Sequence, residues 1–106
     1  MQTLTYTFSA GQRAPRAVHI GVVGSGDLEI LLQPPSDGEP PDSATVRVRS
    51  SVDGFDSVWR EVLERFFTRG APAGRWELND FGATPGVVTL RLRQAAEAAT
   101  ADGPAS

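Results

Sequence analysis

Ser25 stands between Gly24 and Gly26 and is followed by Asp27, with His19 a short way upstream. Serine, histidine and aspartate are the residue types of a hydrolytic triad, in which a base activates the hydroxyl and an acid orients the base. All three fall within one short stretch here, and the G-x-S-x-G elbow that exposes a hydrolase nucleophile does not surround the serine. His19 is equally well explained as a strand histidine with one wet edge. Gly21, Gly24 and Gly26 match neither G-x-G-x-x-G nor the P-loop pattern, and the residues after them read as a strand, so a phosphate cradle at a helix start fails on context. What remains is a hydroxyl without bulky neighbours. Glycines on both sides permit positive φ values and project the serine from a turn, where another enzyme could reach it. The same four residues also serve as a glycine-rich hairpin turn with no chemistry of its own.

Composition narrows the rest. The 106 residues are enough for one domain with a modest core. Hydrophobic residues at 40% and charged residues at 22% are ordinary for a folded chain. The 10 basic residues are all Arg, against 13 acidic ones, for a formal charge of -3. That balance argues against nucleic acid as a partner. With no Lys, Schiff-base catalysis and the phosphate-binding lysine of P-loop enzymes and kinases are excluded, so Asp80-Phe81-Gly82 is no kinase signature. With no Cys, disulfides, thiolate metal sites and cysteine nucleophiles are excluded as well, and any thiol must come from an attached group. A single histidine and scattered carboxylates predict no metal and no catalytic residue. Met1 to Tyr6 has no basic, apolar leader pattern, and no run approaches the ~20 apolar residues of a membrane span. A cytoplasmic protein without a membrane partner is expected.

The elements that must position Ser25 follow from periodicity. Leu4 to Phe8 alternates with threonines as a half-buried strand. Ala17 to Val23 puts Val18, Ile20 and Val22 on one face, and Leu28 to Leu32 resumes the alternation, so these two strands form a hairpin with Ser25 at its tip. Pro34 to Ser43 reads as a surface loop, Thr45 to Ser50 as a strand with Arg47 and Arg49 outside, and Arg75 to Asn79 as a fifth strand. Phe55, Val58, Trp59, Val62, Leu63, Phe66 and Phe67 recur at helical spacing, with Asp53 the expected N-cap and Gly70 the terminator. Thr84 and Pro85 open a second helix that runs through the alanines to Ala99; Val88, Leu90 and Leu92 also alternate as a strand would, but the cap and the alanine run favour helix. Thr100 to Ser106 is expected to be a disordered tail. The fold class predicted is α+β: a mostly antiparallel sheet of about five strands with two α-helices packed on one face.

Two segments, Val22 to Leu31 with its Gly24-Ser25-Gly26-Asp27 turn and Asn79 to Val88, resemble the malonate decarboxylase acyl carrier protein (delta subunit) family. The resemblance implies a carrier domain over residues 1–99 that is not itself an enzyme. It implies that Ser25 carries a covalent 2'-(5''-phosphoribosyl)-3'-dephospho-CoA through a phosphodiester, with Gly24, Gly26 and Asp27 forming the turn. The phosphopantetheine-type arm would supply the thiol that the chain lacks. Acetyl and malonyl would ride on it as thioesters, while an alpha subunit (acyl carrier transferase) exchanges acetyl for malonyl and beta and gamma subunits decarboxylate malonate to acetate and carbon dioxide. A prosthetic-group transferase and a malonyl transferase are the implied loading partners. The citrate lyase acyl carrier (gamma) subunit, which is similar and bears the same group, and an unmodified docking module are the alternatives. Asp80 to Pro85 reads as a loop and helix cap or as a subunit-docking surface. Arg47, Arg49, Arg91 and Arg93 read as a solvated face or as contacts to an acidic partner or the arm's phosphates.

Overall fold

The computed structural model describes residues 2–51 and 54–100. Its elements are β1 (Gln2–Ser9), β2 (Val18–Ile20), β3 (Leu28–Gln33), β4 (Ser43–Ser50), α1 (Asp56–Thr68), β5 (Gly74–Asp80) and α2 (Pro85–Thr100). The strands form one five-stranded sheet in the order β1-β4-β5-β3-β2. Every pairing is antiparallel except β4 with β5, which α1 connects as a crossover. The expected α+β class and the placement of both helices on one sheet face hold: α1 packs on β1 and α2, and α2 packs on β2 and β3. Among the described residues no helix is long and apolar enough to cross a membrane.

Alternation dictates the layers. In β3, β4 and β5 the residues Leu28, Ile30, Leu32, Val46, Val48, Trp76 and Leu78 all point to the helices and are fully or almost fully buried. The register lays Trp76 beside Val46 and Leu32, and Leu78 beside Val48 and Ile30. Helix α1 adds Trp59, Leu63 and Phe67, and α2 adds Val88, Leu92, Ala95 and Ala99. The rings of Phe66 and Phe67 meet Trp76 edge-on at 5.5 and 5.4 Å, a favoured aromatic geometry. Val88, Leu92 and Ala95 are buried while Leu90 is exposed. A strand would have turned all of Val88, Leu90 and Leu92 to one side, so packing decides the helix.

Three boundaries differ from the sequence reading. Strand β2 stops at Ile20, and Val22 and Val23 are exposed, because Gly21 adopts φ +83° and turns the chain off the sheet edge. Helix α1 begins at Asp56 behind Phe55, which makes no side-chain capping bond; the expected cap, Asp53, lies outside the described residues. Helix α2 runs one residue further than expected and includes Thr100, whose hydroxyl donates back to the Ala96 carbonyl at 2.8 Å; the rest of the expected tail, 101–106, lies outside the described residues. The proline-rich connection before β4 is a surface loop, although Pro35 is buried within it. Gly70 ends α1 as expected, at φ +90° with its amide donating to the Phe67 carbonyl at 3.0 Å.

Candidate functional site

The loop from Gly21 to Asp27 joins β2 to β3 and carries Ser25 at its turn. Gly21 is there of necessity: a Cβ built on it would fall 2.1 Å from the Leu28 carbonyl oxygen. At the far side of the loop the Asp27 amide donates to the Gly24 carbonyl at 3.1 Å, closing a four-residue turn with Ser25 and Gly26 at its centre. Gly26 takes φ +80°, the value the third position of a type II turn requires. Around the central residues there is open space. A Cβ on Gly24 would meet only the Val22 side chain, at 3.8 Å, and one on Gly26 would meet nothing within 4 Å. Ser25 is exposed, and among the described residues no group hydrogen-bonds its hydroxyl.

The base of the same loop is tightly held. The Asp27 carboxylate accepts from the Leu28 amide at 2.7 Å and from the Val22 amide at 3.4 Å, stapling the two ends together. It also accepts two bonds from the Arg91 guanidinium of α2, Nε to Oδ1 at 2.9 Å and Nη2 to Oδ2 at 3.0 Å. The fork geometry adds direction to charge. The Arg91 hydrogen bond is the main reason the Asp27 carboxyl titrates below its ordinary range, with the Leu28 amide second. Nη1 of Arg91 donates to Gln94 at 2.9 Å, fixing the guanidinium in turn.

A second loop holds the turn from the sheet side. The ladder between β3 and β5 continues past the strand ends, with the Gly26 amide donating to Phe81 O at 2.7 Å and the Phe81 amide to Asp27 O at 3.0 Å. Buried Asp80 shapes that loop: Oδ1 accepts the amides of Gly82 and Ala83 at 3.1 and 2.9 Å, and Oδ2 accepts the Ser50 hydroxyl at 2.9 Å. Thr84 caps α2 through its hydroxyl to the Val87 amide at 3.3 Å, with Pro85 first in the helix, as the sequence predicted. The two segments that carried the resemblance are therefore bonded neighbours.

The other candidates part company. His19 lies on the solvent face of β2, its Nε2 2.9 Å from Glu29 Oε2, and Asn79 donates to the other oxygen of Glu29 at 2.9 Å. With His19 on Glu29 and Asp27 on Arg91, these two do not form a base–acid pair on Ser25. Arg47 pairs with Glu77 at 3.5 Å on the open sheet face. Sequence reasoning left Arg91 among the surface arginines and missed its role as the anchor of the serine loop. The only local signal is its position one residue before Leu92 of the buried stripe, which sets it at the edge of the helix facing β3.

The comparisons with known proteins agree with one another. Residues 15–99 match the family described as Malonate decarboxylase delta subunit (MdcD). The chain belongs to the malonate decarboxylase acyl carrier protein family. Its relatives include the malonate decarboxylase acyl carrier proteins of Azotobacter vinelandii, 47% identical over 92% of this chain and 95% of the relative, and of Pseudomonas aeruginosa, 46% identical over 96% of this chain and all of the relative. The fold superposes with a TM-score of 0.84 on a chain of a Pseudomonas malonate decarboxylase hetero-tetramer crystallised with malonate; identity is 44%, over 92% of this chain and 98% of that one. The acyl carrier role of the family implies a covalently attached prosthetic group. This chain fits that role chemically: it has no cysteine to hold an acyl group itself, and it offers one uncovered hydroxyl on a braced turn.

Proposed function

We propose that this chain is the acyl carrier subunit of a malonate decarboxylase and that Ser25 Oγ is the attachment point of a 2'-(5''-phosphoribosyl)-3'-dephospho-CoA. The observation that carries the reading is the contrast at one loop: Ser25 is exposed with empty space on both sides, while the residues beneath it are held by Arg91, Asp80 and the β5 backbone. An acceptor hydroxyl must enter another enzyme's active site, and a fixed base keeps its position defined when it does. The bound group would supply a thiol on a long arm, where acetyl and malonyl are held as thioesters.

Everything else falls to partners. Among the described residues no base reaches Ser25, so the hydroxyl proton is assigned to the prosthetic-group transferase. Acyl exchange is assigned to the alpha subunit and decarboxylation to the beta and gamma subunits, with a malonyl transferase charging the arm. The carrier domain, residues 1–99, contributes tethering, which raises the local concentration of acyl groups to the millimolar range for short linkers. The components work together in the cytoplasm.

Intact mass and peptide mapping on the chain purified from cells that carry its modifying enzymes test the proposal. The peptide containing Ser25 is expected to gain the mass of the phosphodiester-linked group, and Ser25→Ala to gain none while keeping its fold. An unmodified Ser25 from such cells overturns the proposal and favours a docking module.

A further inference from the structure

The loop that braces the Ser25 turn also forms one end of a groove. Between the N-terminal halves of α1 and α2 lies a cleft of about 500 Å³, walled by Phe55, Val58, Val62 and Val88 and closed by Gly82 and Ala83. Its walls are apolar. Among the described residues its one ionisable lining residue, Asp80, already spends both oxygens on the Gly82 and Ala83 amides and the Ser50 hydroxyl. Phe55 and Val58 nevertheless remain 47% and 44% exposed, an apolar surface beside the serine loop that nothing among the described residues covers.

We propose that this groove is a resting site for the far end of the arm carried by Ser25, taking its thiol or acetyl end and the methylenes next to it while the amides of the stem stay in solvent; this rests on the carrier reading of Ser25. Continuity is the first argument. Gly26, next to Ser25, is bonded to Phe81, and the adjoining Gly82 lies on the groove's rim with a Cβ position 3.9 Å from the Gly26 amide nitrogen. A group attached at the turn therefore starts at the groove's mouth. Chemistry is the second. Among the described residues the lining offers carbon surface and no open hydrogen-bond donor, which suits methyl, methylene and thioester groups and disfavours a carboxylate. A malonyl end is excluded from the groove while an acetyl end is accepted, so the charged acyl form is the one presented to partners. Affinity need not be high. With the arm tethered at an effective concentration of roughly millimolar, contacts of millimolar strength fill the groove about half the time and still release it quickly.

Amide spectra of the chain, unmodified and loaded at Ser25, test this. Mass analysis first verifies the loading, and a Ser25 that gains no mass overturns the carrier reading and the groove assignment with it. In the loaded chain, with free thiol or acetyl, shifts are expected at Val58, Val62 and Val88 as well as at the turn. Val58→Glu, at an exposed position, is expected to remove the shifts at Val62 and Val88 and to speed reaction of the terminal thiol with a neutral disulfide reagent by roughly twofold. Loaded chain whose shifts stay within the two loops, with a thiol as reactive as in Val58→Glu, overturns the groove assignment alone. A malonyl-loaded chain is expected to show unmodified-like shifts at these valines; shifts equal to those of the acetyl form overturn the exclusion of the charged group.

Discussion

Arg91 and Asp27 are 64 residues apart and form a two-pronged ion pair, at 2.9 and 3.0 Å, that ties helix α2 to the base of the Ser25 loop. The pair does two tasks. It neutralises the carboxylate that staples Val22 to Leu28, and it gives the loop a rigid reference in the helix layer. Without it the loop would still hang from the Phe81 backbone, but on one side only.

Replacing Arg91 with Ala is therefore expected to loosen the loop and leave the core intact. Hydrogen exchange at Gly26 and Leu28 should rise by roughly three- to tenfold, while amides of Ile30 and Leu78 keep their protection. Arg91→Lys should restore only part of the effect, since an ammonium cannot span both oxygens. On the proposal that Ser25 is the attachment point, its modification should slow in the same order. Equal exchange in all three proteins would show that the pair is ornamental.

Acid should dissolve the same contact. The Arg91 hydrogen bond holds the Asp27 carboxyl below its ordinary value of 3.8. A carboxyl depressed in the folded state contributes stability that is present above the unfolded value and is lost as pH falls through the folded one. The loop should therefore be unchanged at neutral pH and down to about 4, and loosen only below 3.8. A carboxyl-detected NMR titration is expected to find the Asp27 midpoint below that value and to see it rise toward 3.8 in Arg91→Ala.

The limits of the sequence are visible in the same residues. Leu28, Ile30 and Leu32, or Val88, Leu92 and Ala95, announce their elements because one-sided burial imposes a period, and Thr84-Pro85 and Gly70 carry end signals in their own chemistry. Asp27 and Phe81 carry none that names their partners, and Arg91 carries only its place beside Leu92 of the buried stripe. Their meeting is made by the antiparallel pairing of β3 with β5 and the return of α2 across β3, which no local pattern encodes. The start of α1 is hidden for a related reason: the helix begins at Asp56, where it brings Trp59 into the core, behind a Phe55 that makes no side-chain capping bond. The serine itself was legible because its glycine neighbours are a chemical signal at adjacent positions.

Two loop glycines with nearly the same φ separate steric from conformational cost. Gly21 (φ +83°) has no room for a Cβ, whereas Gly26 (φ +80°) has open space around it. Gly26→Ala should cost only the left-handed strain, about 1 kcal/mol, or a Tm lower by roughly 5 °C. Gly21→Ala adds a clash with the Leu28 carbonyl that only backbone movement relieves, and about 3 kcal/mol and a fall of 10 °C or more are expected. Thermal unfolding followed by circular dichroism distinguishes them, and equal losses would refute the clash.

Asp80 is where the sheet, the second loop and the Ser25 turn converge. Its two oxygens serve three donors from a buried position. Asp80→Ala removes the acceptor for two backbone amides at once, which should cost about 2–3 kcal/mol and lower Tm by roughly 10 °C. Asp80→Asn keeps one oxygen for the Gly82 and Ala83 amides and turns its amide toward Ser50 Oγ, which can accept, so about 1 kcal/mol is expected. The loss should be felt at the serine turn as well as in stability. Phe81 follows Asp80 directly, so a loosened second loop no longer holds the Gly26 amide, and exchange there should rise in Asp80→Ala more than in Asp80→Asn. A stability loss without faster exchange at Gly26 would mean that Asp80 braces the sheet end and not the turn.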